Sequence, residues 1–247
     1  MKLDVLAIGA HPDDVELGCG GTLALLAGQG RKVGILHLTR GELGTRGTAA
    51  ERHAEAERAA AALGAIDLDF LECGDGALRN GPAEEDALIE VLRRWRPDLI
   101  LGPTPRDRHP DHARAHALVE AASFYAGLAN RAPHLGSSGP PHRPAAVFSY
   151  MQHDLFTPSF IVDVTAAWEA KMESLRAYRS QIHQPDQEQK EDGQPVTKVS
   201  TPDFRFAVEG RARHFGLLIG ATFGEPFWTR LSLAVADPTS ILPGGVR

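Results

Sequence analysis

Apolar residues in this chain gather into short continuous runs separated by longer stretches with a helical period. Leu3–Gly9, Lys32–Thr39, Leu68–Glu72 and Asp98–Gly102 are the short apolar-rich runs. Runs of this length without alternation read as strands buried on both faces of a parallel sheet. Between them, Val15–Gly28, Ala49–Leu63, Glu84–Trp95 and Pro110–Tyr125 read as helices. Gly18, Gly20 and Gly21 weaken the first turns of the first helix. Gly64 is placed to cap the second, and Pro97 stops the third. The alternation predicts a Rossmann-like, doubly wound α/β fold with a mainly parallel sheet, right-handed crossovers and helices on both faces.

The second half is less regular. Gly127–Pro144 is a loop rich in Gly, Pro, Ser and His. Ala146–Met151 and Ser159–Val164 read as two further strands, Trp168–Gln181 as a helix, and Phe204–Gly220 as the final helix of an irregular C-terminal region. Gln184–Pro202 is polar and contains Pro, so it reads as a mobile loop that is placed to cover a pocket. No internal repeat or interdomain linker stands out, and residues 1–247 are expected to form one domain.

Composition narrows the classes. The chain has 247 residues, 43% hydrophobic and 23% charged, with a net charge of −6. The acidic balance argues against nucleic acid as a partner, because phosphate neutralisation needs clustered Lys and Arg. Cys19 and Cys73 are the only cysteines, too few for a disulfide framework or a Cys-rich zinc site, and they fit a reducing cytoplasm. Asp4 interrupts the first apolar run and no cleavage pattern follows it, so no signal peptide is read. No stretch reaches the roughly 20 apolar residues that span a bilayer. A cytoplasmic protein without a membrane partner is expected.

Two short strings carry the chemistry: Ala10-His11-Pro12-Asp13-Asp14 after the first predicted strand, and His109-Pro110-Asp111-His112 after the fourth. In a doubly wound sheet, ligands bind beyond the carboxyl ends of the strands where chain order reverses, and the first and fourth strands are neighbours there. The residue before Pro is pushed toward extended backbone, so His11 and His109 should leave the strand ends pointing outward. Pro then suits a first helical turn, where a carboxylate such as Asp14 is favoured by the helix dipole.

Catalytic zinc commonly takes three protein ligands, two His and one carboxylate among the known sets, and keeps a position for water whose pKa it lowers to about 7. His11, Asp14 and His112 are assigned as ligands, with Zn2+ as the metal and Fe2+ as an alternative in vivo. Asp13 is the spare carboxylate for a general base. His109, oriented by Asp111, is the spare imidazole for the oxyanion or the leaving amine, and opposite charge from Asp111 should raise its pKa. Singly, each of these residues has a plainer reading: Asp13-Asp14 as a helix cap, His112 as a surface histidine. Cys19 reads as a small buried residue, His37 as structural, and His53, His116, His134, His142 and His153 as surface or core histidines. Gly18-Cys19-Gly20-Gly21 lacks dinucleotide-loop spacing, and no Walker A or G-x-S-x-G string occurs.

At these residues the chain resembles the PIG-L / LmbE-like zinc deacetylases, whose AHPDD and HPDH motifs both stand intact. Gly41–Gly47 resembles that family's GE-containing loop. The resemblance spans essentially the whole chain. His142-Arg143-Pro144, Pro158–Asp163, Arg213–Gly216 and Gly224–Phe227 are similar to the bacillithiol-biosynthesis branch, although Phe223 stands where that branch often has Tyr. The resemblance implies removal of acetate from an N-acetylglucosamine conjugate, N-acetylglucosaminyl malate first, with another N-acetylated sugar as the alternative. It implies the same zinc ligands His11, Asp14 and His112, base Asp13, and His109 with Asp111 at the tetrahedral intermediate. It adds Arg52 as a sugar contact, Arg108 beside the site, and a homo-oligomer, trimer or hexamer. Without the resemblance, Arg52 reads as a solvated helix charge. Two readings from other classes stand beside this one: a non-haem Fe(II) oxygenase, which also uses two His and one carboxylate, and a sugar-binding protein with a closed structural metal shell.

Overall fold

The computed structural model describes residues 1–183 and 195–241. The chain lays down β1 (Val5–Gly9), α1 (Asp14–Gly28), β2 (Val33–His37), α2 (Ala49–Ala62), β3 (Asp67–Phe70), α3 (Pro82–Trp95), β4 (Leu99–Gly102) and α4 (Pro110–Tyr125) in strict alternation. There follow β5 (Ala146–Tyr150), β6 (Phe160–Asp163), α5 (Trp168–Ala177), α6 (Pro202–Leu218) and β7 (Gly224–Trp228). The strands form one seven-stranded sheet of order β3-β2-β1-β4-β5-β7-β6. Its first five strands pair in parallel, with Val5 opposite both Val33 and Leu99. β7 runs antiparallel to both of its neighbours. Order reverses between β1 and β4, the switch point anticipated from the sequence.

Alternate residues of β1 supply the two faces of the sheet. Leu6 and Ile8 join Leu36, Ile100 and the apolar sides of α3 and α4, among them Leu88, Leu92 and Leu118. Val5 and Ala7 join Val33, Ile35 and α1, through Val15, Cys19 and Leu23. A further cluster seats α2 on α5 through Ala56, Ala59, Met172 and Leu175. Helices therefore cover both faces, as the buried runs of the strands require.

The sequence reading misses β7, and it extends α5 to Gln181 where the helix stops at Ala177. The final helix begins at Pro202, so the polar loop is shorter than Gln184–Pro202. Its residues 184–194, and with them the expected cover over the pocket, lie outside the described residues. Among the described residues, no helix is long and apolar enough to cross a membrane.

Candidate metal centre

The tip of β1 carries the first string. His11 is buried, and its backbone N–H donates to Asp14 Oδ2 at 2.8 Å. Asp13 caps α1 with φ 97°, a left-handed backbone that a non-glycine residue rarely takes. Asp14 opens the helix and is buried at its positive end. The second string closes β4 in the same way. His109 is the extended N-cap of α4, Pro110 is its first residue, and Asp111 and His112 lie buried in its first turn.

The two strand ends meet. Ring centroids are 4.7 Å apart for His11 and His109, 4.9 Å for His109 and His112, and 5.6 Å for His11 and His112. One ligand atom from each of these three rings lies within 4.8 Å of the other two, and the same holds for His11, Asp75 and Asp111. Asp14 bridges the strings: Oδ2 is 3.4 Å from His11 Nδ1 and Oδ1 is 3.3 Å from His112 Nε2. His11 Nε2 faces Asp75 Oδ1 at 3.1 Å and Asp111 Oδ2 at 3.5 Å. Three imidazoles and a ring of carboxylates thus converge on one buried spot.

Electrostatics follow from that crowding. Burial works against a charged His11, yet the nearby carboxylates of Asp111, Asp14 and Asp75 raise its pKa well above the ordinary value. Burial likewise opposes a charge on His112, but Asp14 and Asp107 push it up to about 9. Both imidazoles sit where positive charge is favoured. A divalent cation fits there, because it supplies that charge while the rings offer lone pairs. His11 Nε2 is buried without a hydrogen bond on the side that faces Asp75 and Asp111, whereas Nδ1 is the ring nitrogen beside Asp14. Asp13 behaves oppositely. Burial pushes its carboxyl up to about 7, Arg52 pulls it down, and the charge of Asp14 adds to the rise.

The structure gathers His11, Asp13, Asp14, His109, Asp111 and His112 but alters how two of them work. Asp111 does not hold the His109 ring by its carboxylate. That group accepts from Gly76 N at 2.7 Å and Arg114 Nη1 at 3.2 Å, while it is the backbone N–H of Asp111 that donates to His109 Nδ1 at 3.2 Å. The expected rise in the pKa of His109 is also corrected: burial, with the charges of His11 and His112, lowers it. With Nδ1 accepting from the helix, neutral His109 carries its proton on Nε2.

Arg52 is buried, so it is not the solvated helix charge of the plainer reading. Its Nη1 and Nη2 donate to the carbonyls of Gly41 and Pro12, both at 2.8 Å. Arg108 is exposed, and its charge reaches His153.

Three contributors escaped the sequence reading. Asp75 follows β3 between two glycines with left-handed φ. It accepts from Leu43 N at 2.9 Å, and its own N–H donates to Glu42 Oε1 at 2.9 Å, which ties it to the loop after β2. Gln152, just past β5, donates to Asp14 Oδ1 at 2.7 Å. Asp107 bonds to the second string from the β4–α4 loop. Only their position at the carboxyl ends of β3, β5 and β4 marked them in advance. His153, read as a surface or core residue, lies beside the centre with its ring stacked 6.1 Å from that of His112.

The family model described as PIG-L, GlcNAc-PI de-N-acetylase, matches residues 6–123. The diacetylchitobiose deacetylase of Thermococcus kodakarensis is 35% identical over 190 residues, covering 72% of this chain and 70% of that protein. The 4-oxalmesaconate hydratase of Pseudomonas putida is 29% identical over 196 residues, covering 72% and 74%. Among solved structures, the conserved protein TT1542 of Thermus thermophilus superimposes with a TM-score of 0.82 at 36% identity, over 95% of this chain and 98% of that one.

Proposed function

The chain belongs to the PIG-L family of de-N-acetylases, and from that premise we propose that it hydrolyses the acetamide of an N-acetylglucosamine conjugate at the centre between β1 and β4. The observation that carries the reading is the pairing of a cation-favouring cluster with a separate carboxyl, Asp13, poised near neutrality beside it. His11, Asp14 and His112 would hold the metal, zinc in this proposal. A bound divalent metal supplies Lewis acidity and makes water acidic enough to attack near pH 7. Asp13 takes the proton from the attacking water and returns it to the departing amine, the exchange for which a carboxyl near pH 7 is suited. His109, neutral with Nε2–H free of the helix, donates to the oxyanion of the tetrahedral intermediate.

Among the possible conjugates, N-acetylglucosaminyl malate stays first in this proposal. Its dicarboxylate needs a guanidinium at the mouth of the site, and exposed Arg108 is available for that. Arg52, committed to two carbonyls, serves instead by anchoring the Pro12 turn under Asp13. The homo-oligomer implied by the resemblance, trimer or hexamer, is part of the same proposal and is tested by sedimentation.

The deciding experiment measures acetate release from N-acetylglucosaminyl malate, N,N'-diacetylchitobiose and N-acetylglucosamine, using metal-stripped and zinc-restored protein. Because one relative is named a hydratase, acetate itself is the readout rather than substrate loss. Acetate release restored by zinc is expected. Its absence on all three substrates would sink the reading, and a preference for the chitobiose would replace the malate assignment alone.

A further inference from the structure

Asp107 has no part in the chemistry above, yet its side chain is wholly buried at the foot of the centre. Its Oδ1 accepts from His109 N at 3.2 Å and lies 3.1 Å from His112 Nδ1. Its Oδ2 accepts from His153 N at 2.8 Å and Asp154 N at 3.2 Å. Three of these four partners are backbone N–H groups, which can only donate. An ionised carboxylate can only accept, so the fourth partner, His112 Nδ1, donates as well. The proton of the neutral ring is therefore on Nδ1, and the lone pair on Nε2 is the one that faces Asp14 Oδ1 at 3.3 Å.

We propose that Asp107 is a positioning residue: it fixes the His112 ring as the Nδ1–H tautomer and thereby presents Nε2 to the metal. The inference rests on the reading above, in which His112 is a ligand. The same carboxylate holds the backbone at His153 and Asp154, so it also ties the β4–α4 loop to the segment after β5 that brings Gln152 to Asp14.

The four-donor arrangement makes Asp107→Asn a sharp probe. An amide has one oxygen and one NH2, and whichever way it turns, the NH2 meets donors. The backbone amides of His153 and Asp154 cannot change role, whereas the imidazole can. The oxygen therefore stays with those two amides and the NH2 turns to the other side, where the His109 N–H loses its acceptor and His112 Nδ1 becomes the acceptor. The proton moves to Nε2 and the metal-binding lone pair is lost.

Zinc affinity is measured by chelator competition for wild type, Asp107→Asn, Asp107→Ala and His112→Ala. Nitrogen NMR of the zinc-loaded protein reports the His112 ring. Wild type should show a hydrogen-bonded proton on Nδ1 with the metal on Nε2. Both Asp107 variants should lose that proton signal and bind zinc roughly 10–100-fold more weakly, the usual cost of removing a partner that orients a ligand. A carboxylate that merely stapled two loops would lower Tm and leave the affinity of the folded protein unchanged. If Asp107→Asn keeps wild-type affinity while His112→Ala loses zinc, the inference fails and the metal reading survives. If His112→Ala also keeps zinc, the metal reading fails and takes this inference with it. A wild-type His112 bound through Nδ1 overturns it without any variant.

Discussion

Asp13 holds a φ of 97°, which costs a non-glycine residue on the order of 1–3 kcal/mol and persists only where its surroundings enforce it. The enforcement is visible: Arg52 grips the Pro12 carbonyl on one side and the Gly41 carbonyl on the other. Asp13→Asn should therefore keep fold and metal while kcat falls about 10²–10⁴-fold, the usual range for a lost general base. Turnover near normal would move that role elsewhere. The two arginines should separate cleanly. Arg52→Ala should lower both Tm and kcat, because it releases the strained turn. Arg108→Ala should leave Tm unchanged and raise KM for the acidic conjugate only. Thermal melts beside steady-state kinetics on malate conjugate and plain sugar distinguish them, and an Arg52→Ala enzyme with only a raised KM would return that residue to direct substrate contact. Burial and cationic neighbours lower the His109 pKa, which favours the neutral imidazole that donates through Nε2. Its loss should then cost kcat without costing zinc.

At the scale of elements, both strings were legible because each stands where a parallel strand ends and a helix begins, a signal carried by Pro12 and Pro110. β7 was not legible. Pro226 sits inside it, and Pro argues against a strand between two others. The structure tolerates it because β5 pairs only with Phe227 and Trp228, so Pro226 lies beyond that ladder. Asp75, Asp107 and Gln152 were hidden for another reason. Each lies in a loop without periodicity and meets a partner far along the chain: Asp75 meets Leu43 at a separation of 32, Asp107 meets His153 at 46 and Gln152 meets Asp14 at 138. The glycines of α1 were a weak point as expected, since the helix forms with Cys19 between Gly18 and Gly20 at a non-helical φ of −144°. They weaken the helix locally, but a Cβ on Gly18 would lie 2.1 Å from Tyr150 Cδ2, and one on Gly21 would lie 2.9 Å from Val164 Cβ. Close packing, not helix propensity, selects them. The same junction buries Lys171 against Glu225 at 2.5 Å, and Glu225 also accepts from Gly21 N and Thr22 N, so α1, α5 and β7 share one ion pair. Lys171→Met would strand that carboxylate. Removing one partner of a buried pair costs about 3–5 kcal/mol. Denaturant titration should show it, and a loss below 1 kcal/mol would mean that Thr22 and the α1 amides suffice for Glu225.

For the whole molecule, stability should depend on pH and metal together. His37 is fully buried, and burial lowers its pKa to about 3, so it is neutral in the native state while the unfolded chain protonates it near 6.5. The unfolded state binds the extra proton between those values, so stability is full above about pH 6.5 and falls as pH drops toward 3. Metal-free His112 has the opposite sign. Its pKa of about 9 gives the native state the extra proton, so that contribution is full below about pH 6.5 and is lost as pH rises through 9. Zinc must displace the protons held by His112 and His11, so it competes poorly at pH 6 and better with each unit toward 9. At a free concentration 100 times Kd, binding stabilises by about 2.7 kcal/mol. For a chain of this size that raises Tm by roughly 5–10 °C. Thermal melts from pH 5 to 9.5, with zinc and with chelator, should show the two curves close together in acid and diverging toward pH 9, with an acid limb common to both. A zinc-induced rise independent of pH, or one that persists in His11→Ala, would place the metal away from these imidazoles.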